Sequence, residues 1–277
     1  MPVIALTQGM GSLATDVAEQ LARDLQLKTL QHEVGDQVAN RMHVSKSLIN
    51  RLREGKAGTF ERLRADRDSM AIFTAEEVLE AAAAGNIVLR GWGATCLLRP
   101  VPHAVCVRIM RPFAKRVEWL MEHLEIDEID VAEAEIRRSD QAHAARMHEL
   151  FGVTWGDPLL YDLVLNTDRI SVDSCVGQIS ALVNRPEFAE TEASRELLRG
   201  LALQARIRSA LRAVDATREV NVMIESVEGN VTLRGIVVSA GERTAAEQVA
   251  AGVSGVNSVD NQLRVMATSR LFPSSKT

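Results

Sequence analysis

The residues best suited to chemistry lie in TQGMGSLATDVAEQLARDL, residues 7 to 25. Gly9, Gly11, Ser12 and Thr15 follow a short apolar run, Val3 to Leu6. They precede a helix on which Leu13, Val17, Leu21, Ala22 and Leu25 share one face. Small residues between a strand and a helix N-terminus let backbone amides close around phosphate oxygens, and the helix dipole favours negative charge there. The lysine that normally neutralises the β- and γ-phosphates in such a loop is missing. The Ser12 and Thr15 hydroxyls can be read as Mg²⁺ contacts or as helix caps, for which both residue types are equally suited.

Other reactive side chains are scattered. Asp157 and Asp168 are the acidic candidates for Mg²⁺ or nucleotide contacts, although WGDP also makes a good loop and NTD a good turn or cap. His32 and His43, like His143 and His148, lack a metal-ligand spacing and read as surface residues. Cys96, Cys106 and Cys175 are odd in number, far apart and set in apolar stretches, which suits reduced core thiols. Arg116, in FAKRVEW, sits where a helix after a strand can aim it at phosphate.

The chain of 277 residues, 46% of them hydrophobic, can fill a substantial core. A net charge of −5 argues against a mainly electrostatic grip on nucleic acid, and no nucleic-acid partner is expected. The N-terminus lacks the basic and apolar regions of a secretory signal, and no uninterrupted apolar run reaches about 18 residues. The expected location is the cytoplasm.

To position the loop, the first 185 residues alternate strand-like and helix-like segments. Helical patterns cover 33 to 55, 74 to 84 and 112 to 150, and a last one lies in ISVDSCVGQISALV. In the second of these, Thr74 and Glu77 read as a capping box and Gly85 as the stop. NIVLRG, AVCVRIM and YDLVLNT read as strands of a buried sheet. The fold class is therefore α/β, a three-layer domain with a mainly parallel sheet. RPEFAETEASRE, polar and aperiodic, reads as a linker. After it the order αββαβ predicts a small α+β domain. Val220, Val222, Ile224, Val231 and Leu233 alternate with polar residues, so one sheet face carries both helices. In the turn between its first two strands, Gly229 and Asn230 are expected to take positive φ.

Two families are resembled. VIALTQGMGS, NIVLRGWGA and above all FGVTWGDPLLYDLVLNTDRIS at 151 to 171 are similar to the cytidylate kinase-like branch of the P-loop nucleoside monophosphate kinases. ALQARIRSAL, VEGNVTLRG, ERTAAEQVAAGV and GVNSVDNQL resemble a BON domain. The expected division is 1–185 kinase-like, 186–196 linker, 197–267 BON-like and 268–277 tail.

The kinase resemblance implies ATP and Mg²⁺ as cofactors, a nucleotide as partner, and Gly9, Gly11, Ser12 and Thr15 as the phosphate-binding loop. It also places two further glycines and a basic residue where this chain has Leu13, Ala14 and Thr15. Losing that cation forfeits a contact worth about 1.5–3 kcal/mol. In RGWGA, Trp92 stands where relatives carry an arginine that holds the acceptor. Trp92 either stacks on a base or plugs the cleft, while Arg90 and Arg99 are candidate replacements for the charge. Arg137, Arg138 and Arg146 lie in the region of the lid. Arg116, Arg138 and Arg146 are the expected catalytic arginines, and Arg90 and Trp92 the expected acceptor-binding pair. The BON resemblance implies a lipid head group, a cation or a protein as partner.

Three functional expectations follow. The first is a nucleotide-binding sensor with a degraded loop and little or no transferase activity, coupled to the BON domain. The second is an active ATP-dependent nucleoside monophosphate kinase. The third is a non-catalytic scaffold for a protein or membrane surface.

Overall fold

A computed structural model describes residues 1–30, 33–64 and 66–266. His32 and the tail 268–277 lie outside the described residues. The chain divides into two compact units, one ending at Leu198 and the other beginning at Arg199.

The first unit runs β1 (Val3–Gln8), α1 (Ala14–Asp24), β2 (Lys28–Leu30), α2 (Glu33–Met42), α3 (Lys46–Arg53), α4 (Thr59–Arg64), α5 (Arg67–Ala84), β3 (Ile87–Arg90) and α6 (Ala94–Leu97). It continues with β4 (Ala104–Met110), α7 (Phe113–Leu124), α8 (Ile129–Phe151), β5 (Leu163–Asn166) and α9 (Val172–Val183). All five strands are parallel, in the order β2-β3-β1-β4-β5. Strand β1 is central, with Val3 opposite both Ile87 and Ala104. Its buried residues Val3 to Leu6 explain the unbroken apolar run. On one face Ile4 and Leu6 join Val17 and Leu21 of α1 and Cys175 and Ile179 of α9 in a single core. Beyond β1 the chain first builds β2 and β3 on one side, then crosses to β4 on the other. That reversal opens a crevice at the carboxyl end of β1, where the glycine loop lies.

Three expectations need correction. Helix α5 starts at Arg67, well before Thr74, because Asp66 caps it and accepts from the Ser69 amide at 2.9 Å. Gly85, at φ 68°, does end it. The segment read as a linker is partly regular, with a 3-10 turn at Pro186–Phe188 and the start of α10 (Glu192–Ala213). Thr191 and Ser194 exchange side-chain to backbone bonds there, and Glu190 accepts from the Met1 amino group and from Arg195 Nε, each at 2.6 Å. Polar contacts order that segment, and they leave no apolar period to read. The third is the count of four sheet strands, to which β2, a three-residue edge strand too short to carry a pattern, adds a fifth.

In the second unit, β6 (Met223–Val227) and β7 (Asn230–Val237) form an antiparallel hairpin. Helix α11 (Ala240–Ala251) then carries the chain to β8 (Ser258–Val265), parallel to β7. Leu203, Ile207 and Leu211 of α10 and Ala246 and Ala250 of α11 pack with Val222, Ile224, Val231, Leu233 and Leu263 on one sheet face. The positive φ values of the hairpin fall on Glu228 (50°) and Gly229 (77°), one residue earlier than expected. Val227 pairs with Asn230, which closes a two-residue turn around that pair.

Candidate functional site

The loop after β1 joins the strand to α1 through two residues in the left-handed conformation, Gly11 and Leu13. Gly11 has φ 77°, and a Cβ there would lie 3.0–3.2 Å from Arg116 backbone and Cβ atoms. Leu13 takes the left-handed conformation itself, at φ 59° and ψ 19°, and gives α1 no side-chain cap. That conformation costs a non-glycine residue about 1–2 kcal/mol. The first amides of α1 therefore remain available to an anion. Ser12 is 2% exposed with its Oγ unpartnered, and the Gln8 Oε1 is also buried without a partner. Thr15 is exposed at the rim.

The run at 151 to 171 holds this loop in place. Thr167 Oγ1 donates to the Ser12 carbonyl at 2.9 Å, and Trp155 Nε1 donates to Thr7 Oγ1 at 3.0 Å. Asp157 caps the turn Pro158–Leu160 through the Leu159 amide, and Asp168 is exposed and does not line the loop cavity. Neither brings a carboxylate to the loop.

Three arginines converge instead. Arg90 at the end of β3, Arg53 at the end of α3 and Arg146 on α8 line the same cavity as the loop, which encloses about 210 Å³. All three are half-buried, and none makes an ion pair among the described residues. Burial pushes Arg90 and Arg146 down to about 10, and the nearby Arg53 charge adds to the shift in both. They stay charged at neutral pH. Arg146 donates to the Arg53 carbonyl. His143 shares the cavity, with its ring 4.4 Å from Trp155 and its Nε2 buried without a partner. Burial, then the charges of Arg146, Arg53 and Arg108, push its pKa down to about 3, so its imidazole is neutral. The surface reading of His143 is corrected accordingly.

The other expected residues divide. Arg116 reaches the loop from α7, but it is held by Asp140 through two bonds of 2.9 and 2.7 Å. Arg138 is exposed, pairs with Glu135 and lines a different cavity of about 440 Å³. Arg137 pairs with Glu133 at 3.1 Å, and Arg99 donates to the Leu159 carbonyl at 2.7 Å. Trp92, at φ 57° between Gly91 and Gly93, has the Arg53 guanidinium 4.5 Å from its ring centroid. Its ring edge lies 3.3 Å from where a Gly35 Cβ would be. The sequence reading missed Arg53 and the burial of His143. Arg53 sits in an amphipathic helix with no motif around it, and only its approach to Trp92, in the turn after β3, makes it part of the site.

Residues 3–169 match the model of the cytidylate kinase-like family, well over half of the chain. The chain belongs to that family. Residues 201–267 match the model of the BON domain. The cytidylate kinase-like fold is similar to that of an uncharacterized protein from Eubacterium ventriosum, at 18% identity and a TM-score of 0.53, covering 67% of this chain and 100% of that one. The shikimate kinase of Bacteroides thetaiotaomicron is 18% identical over 66% of this chain and 99% of its own, at a TM-score of 0.42. The shikimate kinase of Acinetobacter baumannii, solved with shikimate, is 13% identical over 66% and 93%, at 0.41. No curated protein sequence matches the chain at a significant level. No helix among the described residues is long and apolar enough to cross a membrane.

Proposed function

We propose that the kinase-like unit binds a nucleotide through its phosphates and transfers a phosphoryl group slowly or not at all, serving as a cytoplasmic sensor module attached to the BON domain. The reading rests on the convergence of Arg53, Arg90 and Arg146, half-buried and with no ion pair among the described residues, with the N-terminus of α1, which has no side-chain cap. Holding three guanidinium groups together and partly out of water costs free energy, which a bound polyanion offsets. The unpartnered Ser12 Oγ, with Thr15 and Asp16 at the rim, offers the oxygen ligands that suit Mg²⁺. When bound, Mg²⁺ would neutralise charge on the phosphoryl oxygens. The amides of α1 would orient the phosphates, and Arg90 and Arg146 would balance their charge.

Slow transfer follows from the cations already neutralised. Arg116 is occupied by Asp140 and Arg138 by Glu135, which leaves Arg146 as the expected catalytic arginine without an ion pair among the described residues. Calorimetric titration and thermal melting with ATP and CMP, each with Mg²⁺, test the reading. Binding should raise the melting temperature, with little ADP formed. Brisk ADP formation would support the active-kinase alternative, which the approach of Arg116 to the loop favours. Absence of any binding would leave the scaffold reading. For the BON domain the proposed partners remain a lipid head group, a cation or a protein. Flotation of the whole chain with anionic vesicles tests the first.

A further inference from the structure

We infer that the site reads a linear phosphate chain and is indifferent to the base or sugar esterified to it, so that inorganic tripolyphosphate and different nucleoside triphosphates bind alike. This rests on the phosphate-binding reading above and narrows its ligand class.

Two aromatic side chains line the cavity, and each already has a ring partner from this chain. Arg53 lies over Trp92 at 4.5 Å, with Gly35 against the ring edge. Trp119 is stacked on His123, with centroids 4.0 Å apart and planes 22° apart. A nucleobase seeking the Trp92 face that Arg53 covers would have to displace a guanidinium whose cation–π contact is itself favourable. The rest of the lining is loop backbone, arginine heads, the neutral His143 and the polar side chains of Gln8, Ser12, Asp16, Glu54 and Ser139. Of these the Gln8 amide is the group that pairs a donor with an acceptor, and its Oε1 is buried at the end of β1.

Size points the same way. The cavity volume is about 210 Å³. It falls below the range of about 300–1,000 Å³ typical of whole small-molecule sites. Two or three tetrahedral phosphate groups suit that space, and a base and ribose would project outward. Charge completes the match: Arg53, Arg90 and Arg146 supply three positive charges, set against Asp16 and Glu54 at the wall.

Titration of the full-length chain with tripolyphosphate, pyrophosphate, ATP, CTP and CMP, each with Mg²⁺, provides the test. Tripolyphosphate, ATP and CTP should bind within about threefold of one another, and CMP at least tenfold more weakly. Arg90→Ala should weaken all three triphosphates together by about tenfold or more, with Arg90→Lys recovering part of the loss. Arg53→Ala should weaken tripolyphosphate most, because it uncovers the Trp92 face to a base. A preference above tenfold between ATP and CTP, or nucleotide binding without tripolyphosphate binding, would overturn the inference and leave the proposed function intact. No binding of any of the five would remove both. Circular dichroism and melting of each unliganded variant separate lost folding from lost binding, and Arg146→Gln repeats the test from another helix.

Discussion

The Arg53 guanidinium lies over the Trp92 ring at 4.5 Å, joining the last residue of α3 to the turn that follows β3. The indole is a platform, and one of its faces is used by the protein itself. It also fixes the cation that the loop lacks, since Arg53 brings positive charge to the cavity from a helix remote in sequence. Trp92→Ala should therefore release Arg53 and weaken triphosphate binding several-fold, while Trp92→Phe, which keeps a ring face, should retain most of it. Calorimetric titration distinguishes the two.

Leu13 holds a left-handed conformation that glycine would adopt without strain. Leu13→Gly relieves about 1–2 kcal/mol of backbone cost and gives back about 0.5–1 kcal/mol as chain entropy. Stability should rise by no more than about 1.5 kcal/mol. Triphosphate affinity should rise, because a side chain at the mouth of the loop is removed. Urea denaturation and titration of the same variant check both outcomes.

Arg116 and Asp140 act as a pair beneath the loop, the arginine 11% and the aspartate 28% exposed. Arg116→Ala leaves a carboxylate and the Met10 carbonyl without their donor, at an expected cost of about 1.5–3 kcal/mol. The double change with Asp140→Ala should cost less than the sum of the single changes. Additive losses in a denaturation cycle would show that the two residues do not couple. An ADP-forming activity that collapses in Arg116→Ala would return that arginine to catalysis.

The neutral His143 makes stability depend on pH. Its folded pKa, about 3, lies below the unfolded value of 6.5, so the unfolded chain binds the proton more readily between the two. Stability is fully present above pH 6.5 and falls as pH drops from 6.5 toward 3. His103, lowered mainly by burial, adds in the same direction. Glu190, pushed down to about 2 by its bonds to Arg195 and the Met1 amino group, contributes stability above pH 4.5 that is lost below it. His143→Gln should make the urea midpoint fall less steeply from pH 6.5 down to about 3, with the losses due to His103 and Glu190 remaining.

In the second unit, a Cβ at Gly229 would lie 2.6 Å from Asn257 Nδ2 and 2.7 Å from the Gly255 carbonyl, in a residue whose φ is 77°. Gly229→Ala meets backbone as well as strain, and should destabilise this unit by more than about 1 kcal/mol. Hydrogen exchange in β6, β7 and β8 should quicken, with triphosphate affinity unchanged.

Much of the architecture was legible because it follows from local pattern. The apolar run of β1, the exact span of β4 and α11, and the alternation in the small sheet are periodicities that burial imposes directly on sequence. The missed β2 and the late start assigned to α5 have the opposite cause. An edge strand of three residues has no period, and a cap within a charged run looks like any other aspartate.

By itself, the sequence determined the α/β class, the αββαβ order of the second unit, and the place of a glycine loop after β1 that carries Leu13, Ala14 and Thr15 and no lysine. These are one-dimensional properties: which residue follows which, and with what spacing. Only the tertiary structure decided which charges are spent and which remain. Arg116 and Arg138 are neutralised by carboxylates, while Arg53, Arg90 and Arg146 meet with no ion pair among the described residues. The physical reason is that an arginine's availability depends on which carboxylates lie within about 4 Å of its head. That is set by the packing of α3, α7 and α8 around β1 and β3, and no spacing along the chain encodes it.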